Sequence, residues 1–368
     1  MKQGWEYKKI GNICNITTGK LDANAANEDG LYPFFTCSRI PLSINTYAYD
    51  CECILIAGNG DLNVKYYNGK FNAYQRTYIL QLKNDVNGVE MRYIFAFFNL
   101  YIEELRRKSI GGIIKYIKLG DLTNALLPLP DITTQLSIVS ELDKINELIR
   151  LKKEQLKDYD NLAQSIFYEM FGDPVENEKG WEVKKLGEVC SVGTGSTPNR
   201  KNKEYYEHGI YPWVKSTEVC NLPIYSVEEF ITEEALQNTN CGLYPKDSIL
   251  MAMYGQGKTR GQVGLLKIEA CTNQAVAAIV PSKKINSIFL YRHLMLMYEH
   301  IRDMARGGNQ ANLNLTIVRS IQILLPPLPL QHLFAQRIEQ IERQKSAVQK
   351  SITDLETILA SRMQYWFE

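Results

Sequence analysis

The chain has 368 residues, 45% of them apolar and 23% charged, with a formal charge of +1, so it can hold two or three soluble globular domains without a strong overall field. That balance argues mildly against a stand-alone nucleic-acid binder, which carries a clear basic excess. The N-terminus lacks an apolar signal-peptide core, and the longest apolar stretch, residues 94–102, is broken by Asn99, so a cytoplasmic, membrane-free protein with free thiols is expected.

Residues 4–20 open the chain with Gly4-Trp5-Glu6-Tyr7-Lys8-Lys9-Ile10-Gly11 and return as 180–196, identical at nine of seventeen positions. The offset grows from 176 there to 179 at Tyr32-Pro33 and Tyr211-Pro212, and to 195 at residues 54–57 and 249–252. The chain is a tandem duplication of whole domains, with most of the second copy's extra length inserted at the place of residues 38 to 53 in the first copy's frame. Cys14 and Cys190 are repeat counterparts expected in cores, and Cys51-Glu52-Cys53 has no second pair at zinc spacing, so no metal site is expected.

Short β-branched runs at 54–57, 78–82 and 275–280 read as strands, while 93–107 and 289–306 read as helices. A longer element follows in each copy. Residues 128–172 open Pro-Leu-Pro and then hold no glycine or proline until their end, with Ile138, Leu142, Ile145, Ile149, Leu156, Tyr159, Ala163, Ile166 and Met170 at 4-3 spacing. This is a heptad seam on a rod about 57 Å long, which needs a partner to bury it. Adding 196 gives Phe334, Ile338, Ile341, Lys345, Ile352, Leu355, Leu359, Arg362 and Trp366. Lys345 and Arg362 weaken that second seam, and two ordinary surface helices remain the bland alternative. Each rod has a proline-rich lead-in and a matching glutamine, Gln135 and Gln331. Phe171-Gly172-Asp173-Pro174 stops the first rod, and nothing is expected beyond the second.

Two windows lack acids. Residues 62–84 carry Lys65, Tyr66, Asn68, Lys70 and Arg76; residues 248–268 carry Tyr254, Gln256, Lys258 and Arg260. Lysine and arginine neutralise phosphates, amides and guanidinium groups reach base edges, and aromatic rings stack. A second pair of candidate surfaces is the glycine-led run 111–116 and its counterpart 307–314, which includes Gln310 and Asn312. A solvated strand-turn-strand surface would look the same. Ala252 with Gly257-Lys258-Thr259 nearly spells a phosphate-cradling loop, but a turn and strand are expected after it where nucleotide binding needs a helix. No other catalytic constellation is found, so a binding protein is favoured over an enzyme, and no catalytic residue is assigned.

The repeated Gly-Trp-Glu-x-Lys-Lys opening, the 307–314 run, the proline lead-ins and the Met170-to-Pro174 stop together resemble the specificity subunit of type I restriction-modification systems, over residues 4–368. The resemblance implies an α+β fold: two tandem-repeated α/β target recognition domains at 1–130 and 173–326, each followed by a spacer helix, at 131–172 and 327–368. The helices would pair as an antiparallel coiled coil with pseudo-two-fold symmetry through Ile138, Leu142, Ile145, Leu156, Ile166, Ile338, Ile341, Ile352 and Leu359. It implies double-stranded DNA and two methylation subunits as partners and admits motor-nuclease subunits. S-adenosylmethionine would belong to the methylation subunits, with no cofactor in this chain. Each domain would read one half of a bipartite target, and the helices would set the gap and dock the methylation subunits. A scaffold tethering two protein-binding domains and a P-loop NTPase are the rival readings.

Overall fold

The computed structural model describes residues 4–112, 114–255, 257–305 and 312–368. Gln256 and Gln310 lie outside the described residues. The chain divides into two units, Met1–Glu154 with Gln349–Glu368, and Gln155–Val348, and both boundaries fall inside the long helices.

In the first unit the strand Tyr49–Ala57 alternates strictly: Cys53 and Leu55 face one way, Ile54 and Ile56 the other. It sits third in a six-stranded sheet ordered Cys14–Thr18, Thr77–Leu82, Tyr49–Ala57, Val64–Ala73, Tyr32–Phe35, Leu42–Ile44. Only the Tyr32–Phe35 and Val64–Ala73 pair is parallel. Ile54, Ile56 and Leu80 pack with Ile94, Phe98 and Leu105 of the helix Met91–Lys108; Phe35, Phe71 and Ile79 form a smaller cluster on the opposite face.

The second unit repeats this plan with one break. Ser191–Thr194, Val276–Val280, Ile249–Ala252 and Val263–Leu265 form a four-stranded sheet. Phe230–Ile231, Tyr211–Val214 and Cys271–Thr272 form a second, again with one parallel pair. The counterpart of Val64–Ala73 is thus split into Val263–Leu265 and Cys271–Thr272. The inserted length is the loop before Phe230–Ile231 and the helix Glu233–Asn238. Where one helix was expected over 289–306, two are found, Ser287–Leu296 and Tyr298–Asp303, because Met297 takes φ −84° and ψ 6° and leaves the helical region.

The opening motif and the proline lead-in are paired strands. Glu6–Lys9 runs antiparallel to Leu126–Leu129, and Val183–Lys185 to Gln322–Leu324. From each pair a 40-residue helix departs, Ile132–Phe171 and Leu328–Phe367. The repeated glutamines fix that departure. Gln135, fully buried, donates to the Pro130 and Gly88 carbonyls at 2.8 and 3.0 Å and accepts from Glu90 N–H at 3.0 Å. Gln331 donates to the Pro326 carbonyl at 2.7 Å and accepts from Asn286 N–H at 2.8 Å.

The seam residues face inward: Ile138, Leu142, Ile338, Ile341 and Ile352 are buried, and Ile145, Leu156, Ile166 and Leu359 are half-buried. The two charges that interrupt the second seam are paired with carboxylates of the first helix. In the first unit Arg362 binds Glu141, with Nη2 to Oε2 at 3.0 Å, and Lys153 binds Glu356 at 2.9 Å. In the second unit Lys345 binds Asp160 at 2.6 Å. The two polar residues that interrupt the second seam thus each meet a carboxylate supplied by the first helix. The rings of Trp5 and Trp366 stack in parallel at 6.3 Å in the first unit, while in the second Trp181 donates its indole N–H to the Phe171 carbonyl at 2.9 Å.

All eight cysteines are free thiols, with Cys14 and Cys190 buried. Among the described residues no helix is long and apolar enough to cross a membrane.

Candidate nucleic-acid interface

The loop after Tyr49–Ala57, residues 58–63, is stitched to its neighbours by backbone bonds. Gly58 N–H donates to the Arg76 carbonyl at 2.8 Å, Ile117 N–H to the Gly58 carbonyl at 3.0 Å, and Gly60 N–H to the Lys115 carbonyl at 3.0 Å. From the helix Met91–Lys108, Arg106 donates to the Leu62 carbonyl at 2.9 Å and pairs with Asp61 at 3.6 Å; Arg39 pairs with the same carboxylate at 2.7 Å. The Arg39 hydrogen bond holds the Asp61 carboxyl below its ordinary range. One end of the sheet therefore gathers four separate loops, with Arg39, Arg76 and Lys115 exposed on it beside half-buried Asn59.

The second unit builds the same end. Met253 N–H donates to the Ala275 carbonyl at 2.8 Å, and Leu313 N–H to the Met253 carbonyl at 3.0 Å. Arg302 donates to the Arg260 carbonyl at 3.3 Å, and the Tyr298 hydroxyl to the Lys258 carbonyl at 2.5 Å. The bonds Ile117 to Gly58 and Leu313 to Met253 are one contact made twice, and Arg106 and Arg302, 196 residues apart, each bond a carbonyl of the loop in their own copy. Cations, amides and backbone groups are assembled here, a set suited to phosphate oxygens and base edges.

Residues 2–158 and 178–357 match the family described as the type I restriction modification DNA specificity domain. The chain belongs to that family. It is similar to the type I restriction enzyme EcoDI specificity subunit of Escherichia coli, at 25% identity over 378 residues, 95% of this chain and 84% of that protein. The MjaIX specificity subunit of Methanocaldococcus jannaschii is 25% identical over 292 residues, 74% of this chain and 67% of that one. The crystal structure of a type I restriction-modification S subunit from M. genitalium has the same fold, with a TM-score of 0.61 at 16% identity, covering 100% of this chain and 98% of that one. Specificity subunits are the non-catalytic components of such systems.

Within a specificity fold the sequence-predicted residues separate into two groups. Tyr254, Lys258 and Arg260 lie in the loop of residues 253–262, and exposed Asn312 adjoins it through Leu313. Arg76 occupies the matching end of the first unit, where its carbonyl anchors Gly58. Lys65 lies just inside that end, bonded to Asn63, and burial lowers its ammonium pKa. Tyr66, Asn68 and Lys70 lie farther along the strand. The Tyr66 hydroxyl donates to Glu52 at 2.7 Å and its ring meets Phe95, and burial with Glu52 pushes its pKa up to about 12. Asn68 stands opposite Glu52, and Lys70 opposite Asp50, across the antiparallel ladder. The acid-free window thus meets acids in space. Ala252 to Thr259 is followed by a turn and the strand Val263–Leu265, so the helix that a nucleotide loop requires is not there.

Sequence reasoning missed Arg106, Arg302 and Tyr298, which hold the loops by their carbonyls. The constant offset of 196 between the two arginines was the available signal. It also missed Gln75 and Gln274, which tie in the loop after the first strand of each sheet: Gln75 donates to Asp22 Oδ1 at 2.8 Å, and Gln274 accepts from Thr197 Oγ1 at 2.5 Å.

Proposed function

We propose that this chain is a DNA sequence-recognition subunit whose two target recognition domains, 1–130 and 173–326, each read one half of a bipartite duplex target. The observation that carries this is the repetition of one loop-end assembly, Gly58 with Ile117 and Met253 with Leu313, in a member of the DNA specificity family. Two copies of one surface suit two half-sites better than one continuous site. The readers are Arg76 with the 58–63 and 110–116 loops in the first domain, and Tyr254, Gln256, Lys258, Arg260, Gln310 and Asn312 in the second. Tyr66 serves the scaffold of the first domain, while exposed Asn68 and Lys70, farther along the strand, add contacts beside the loop end.

The spacer helices pair as an antiparallel coiled coil, a reading supported by the Glu141–Arg362, Lys153–Glu356 and Asp160–Lys345 ion pairs. They set the gap between half-sites and dock two methylation subunits, which bring S-adenosylmethionine; this chain holds no cofactor, works in the cytoplasm and also assembles with motor-nuclease subunits where those are present. With a charge of only +1 on this chain, much of the phosphate neutralisation falls to those partners.

Methyladenine mapping in cells that co-express the methylation subunit tests the proposal. A bipartite motif should appear, Lys258→Ala should cost about 1 to 3 kcal/mol at one half-site alone, and a seven-residue insertion in the first spacer should change only the gap. A scaffold would leave no motif, and loss at both half-sites with Lys258→Ala would count against the assignment.

A further inference from the structure

Resting on that DNA-reading proposal, we propose that Ile114 of the first domain recognises the C5-methyl group of a thymine in its half-site. The turn between Ile110 and Tyr116 closes on itself, Tyr116 N–H to the Ile110 carbonyl at 2.9 Å and Ile110 N–H to the Tyr116 carbonyl at 3.0 Å. It is fastened to the 58–63 loop through Lys115 and Ile117, so it shares the end that carries Arg76. Its tightness depends on Gly111, at φ +120°, where a Cβ would meet the Ile114 carbonyl at 2.5 Å. Within it Ile114 is 62% exposed, and Ile110 and Tyr116 are each 41% exposed.

Single exposed aliphatic side chains are ordinary on protein surfaces. Here, among the described residues, three large apolar side chains share one short turn, flanked by the exposed cations Lys115 and Arg76. That rim suits polyanionic DNA and not an apolar protein face. The major groove presents one apolar feature among its hydrogen-bonding edges, the thymine methyl group. The second repeat supports the assignment by contrast. Position 114 plus 196 is Gln310, and position 116 plus 196 is Asn312. Amides there can take the bidentate adenine edge, whereas isoleucine can take only a methyl. The two copies therefore carry different side-chain chemistry at matching sequence positions.

The test uses the full complex with its methylation subunits on duplexes carrying the mapped target. Arg76→Ala identifies the half-site of the first domain. Each thymine there is then replaced in turn by deoxyuridine, which lacks only the methyl. One position should lose about 4-fold in affinity, the worth of one buried methyl group. With Ile114→Ala, that position should no longer distinguish thymine from deoxyuridine, and the second half-site should be unaffected throughout. A flat deoxyuridine series, an unchanged series in Ile114→Ala, or a half-site without thymine overturns the proposal. So does a 2-aminopurine signal for base unstacking that depends on Ile114, which would make the residue a wedge. If Arg76→Ala alters neither half-site, the DNA-reading proposal for this end fails instead.

Discussion

His293 is completely buried in the second unit, where its Nε2 accepts the Leu324 N–H at 2.9 Å and its ring lies edge-on to Phe167 and Phe289. At the corresponding places of the first repeat, 196 residues earlier, stand Phe97 and Pro128. Proline has no N–H to satisfy, so no acceptor is needed there, and an apolar ring fills the space. Burial lowers the His293 pKa from 6.5 to about 4. Above pH 6.5 the imidazole is neutral folded or unfolded, and it adds no pH dependence. As the pH falls from about 6.5 to about 4 the unfolded chain takes up a proton that the folded chain refuses, so stability falls, by roughly 3 kcal/mol at about 1.4 kcal/mol per pH decade. Below that range the loss levels off. His293→Phe should remove this share of the acid sensitivity; it leaves the Leu324 N–H unpaired but also removes the buried, unpartnered Nδ1 of His293, so the net loss near neutral pH should be under about 3 kcal/mol. Adding Leu324→Pro removes the orphaned donor, so the double variant should be more stable than the sum of the singles by about 1 kcal/mol or more. Native-state hydrogen exchange in urea, followed on the peptides of residues 287–303 at pH 7.5 and 5, reads both quantities. Additivity of the two substitutions, or an unchanged pH difference in His293→Phe, would refute the reasoning.

Replacing either junction glutamine should be costly, because partners are left unpaired in the interior. Gln135→Ala strands the Glu90 N–H and the Pro130 and Gly88 carbonyls, and a loss of about 2 to 4 kcal/mol in urea unfolding is expected; a loss under 1 kcal/mol would mean water replaces the side chain. Arg302→Lys should loosen the Lys258 to Arg260 loop, since a point charge does not reproduce the guanidinium contacts to the Arg260 carbonyl and Tyr298 hydroxyl. Binding to one half-site should weaken by about 1 kcal/mol with the salt dependence unchanged, because Arg302 spans protein groups. A shallower salt slope would instead make it a phosphate contact.

The helices were legible because a 4-3 seam has no other economical structure, and the duplication was legible in the Gly-Trp-Glu openings. The chemistry along the seam was not. Lys345 and Arg362 looked like defects because the carboxylates that satisfy them, Asp160 and Glu141, are remote in sequence. The same blindness affected the first acid-free window. Its Lys70 and Asn68 are free of acids along the chain, but the register of a neighbouring strand sets Asp50 and Glu52 opposite them. In the second copy the named residues of the window fall in the loop of residues 253–262, so Tyr254, Lys258 and Arg260 reach the sheet end together. Split elements were also hidden. Between Leu265 and Cys271 the sequence has no glycine or proline to announce two strands in place of one.

The glutamine junctions bear on how such a chain can change its target. Gly88, Glu90, Pro130 and Gln135 hold the first helix start to its domain, as Asn286, Pro326 and Gln331 hold the second. Each junction is complete within its own copy and borrows nothing from the loops 58–63 or 253–262. A recombination event that exchanges the sheet and its loops but keeps these few residues would graft a new reading head at the old angle. If the domains read DNA as proposed, such a joint would let new specificities be acquired by exchange as well as by point substitution.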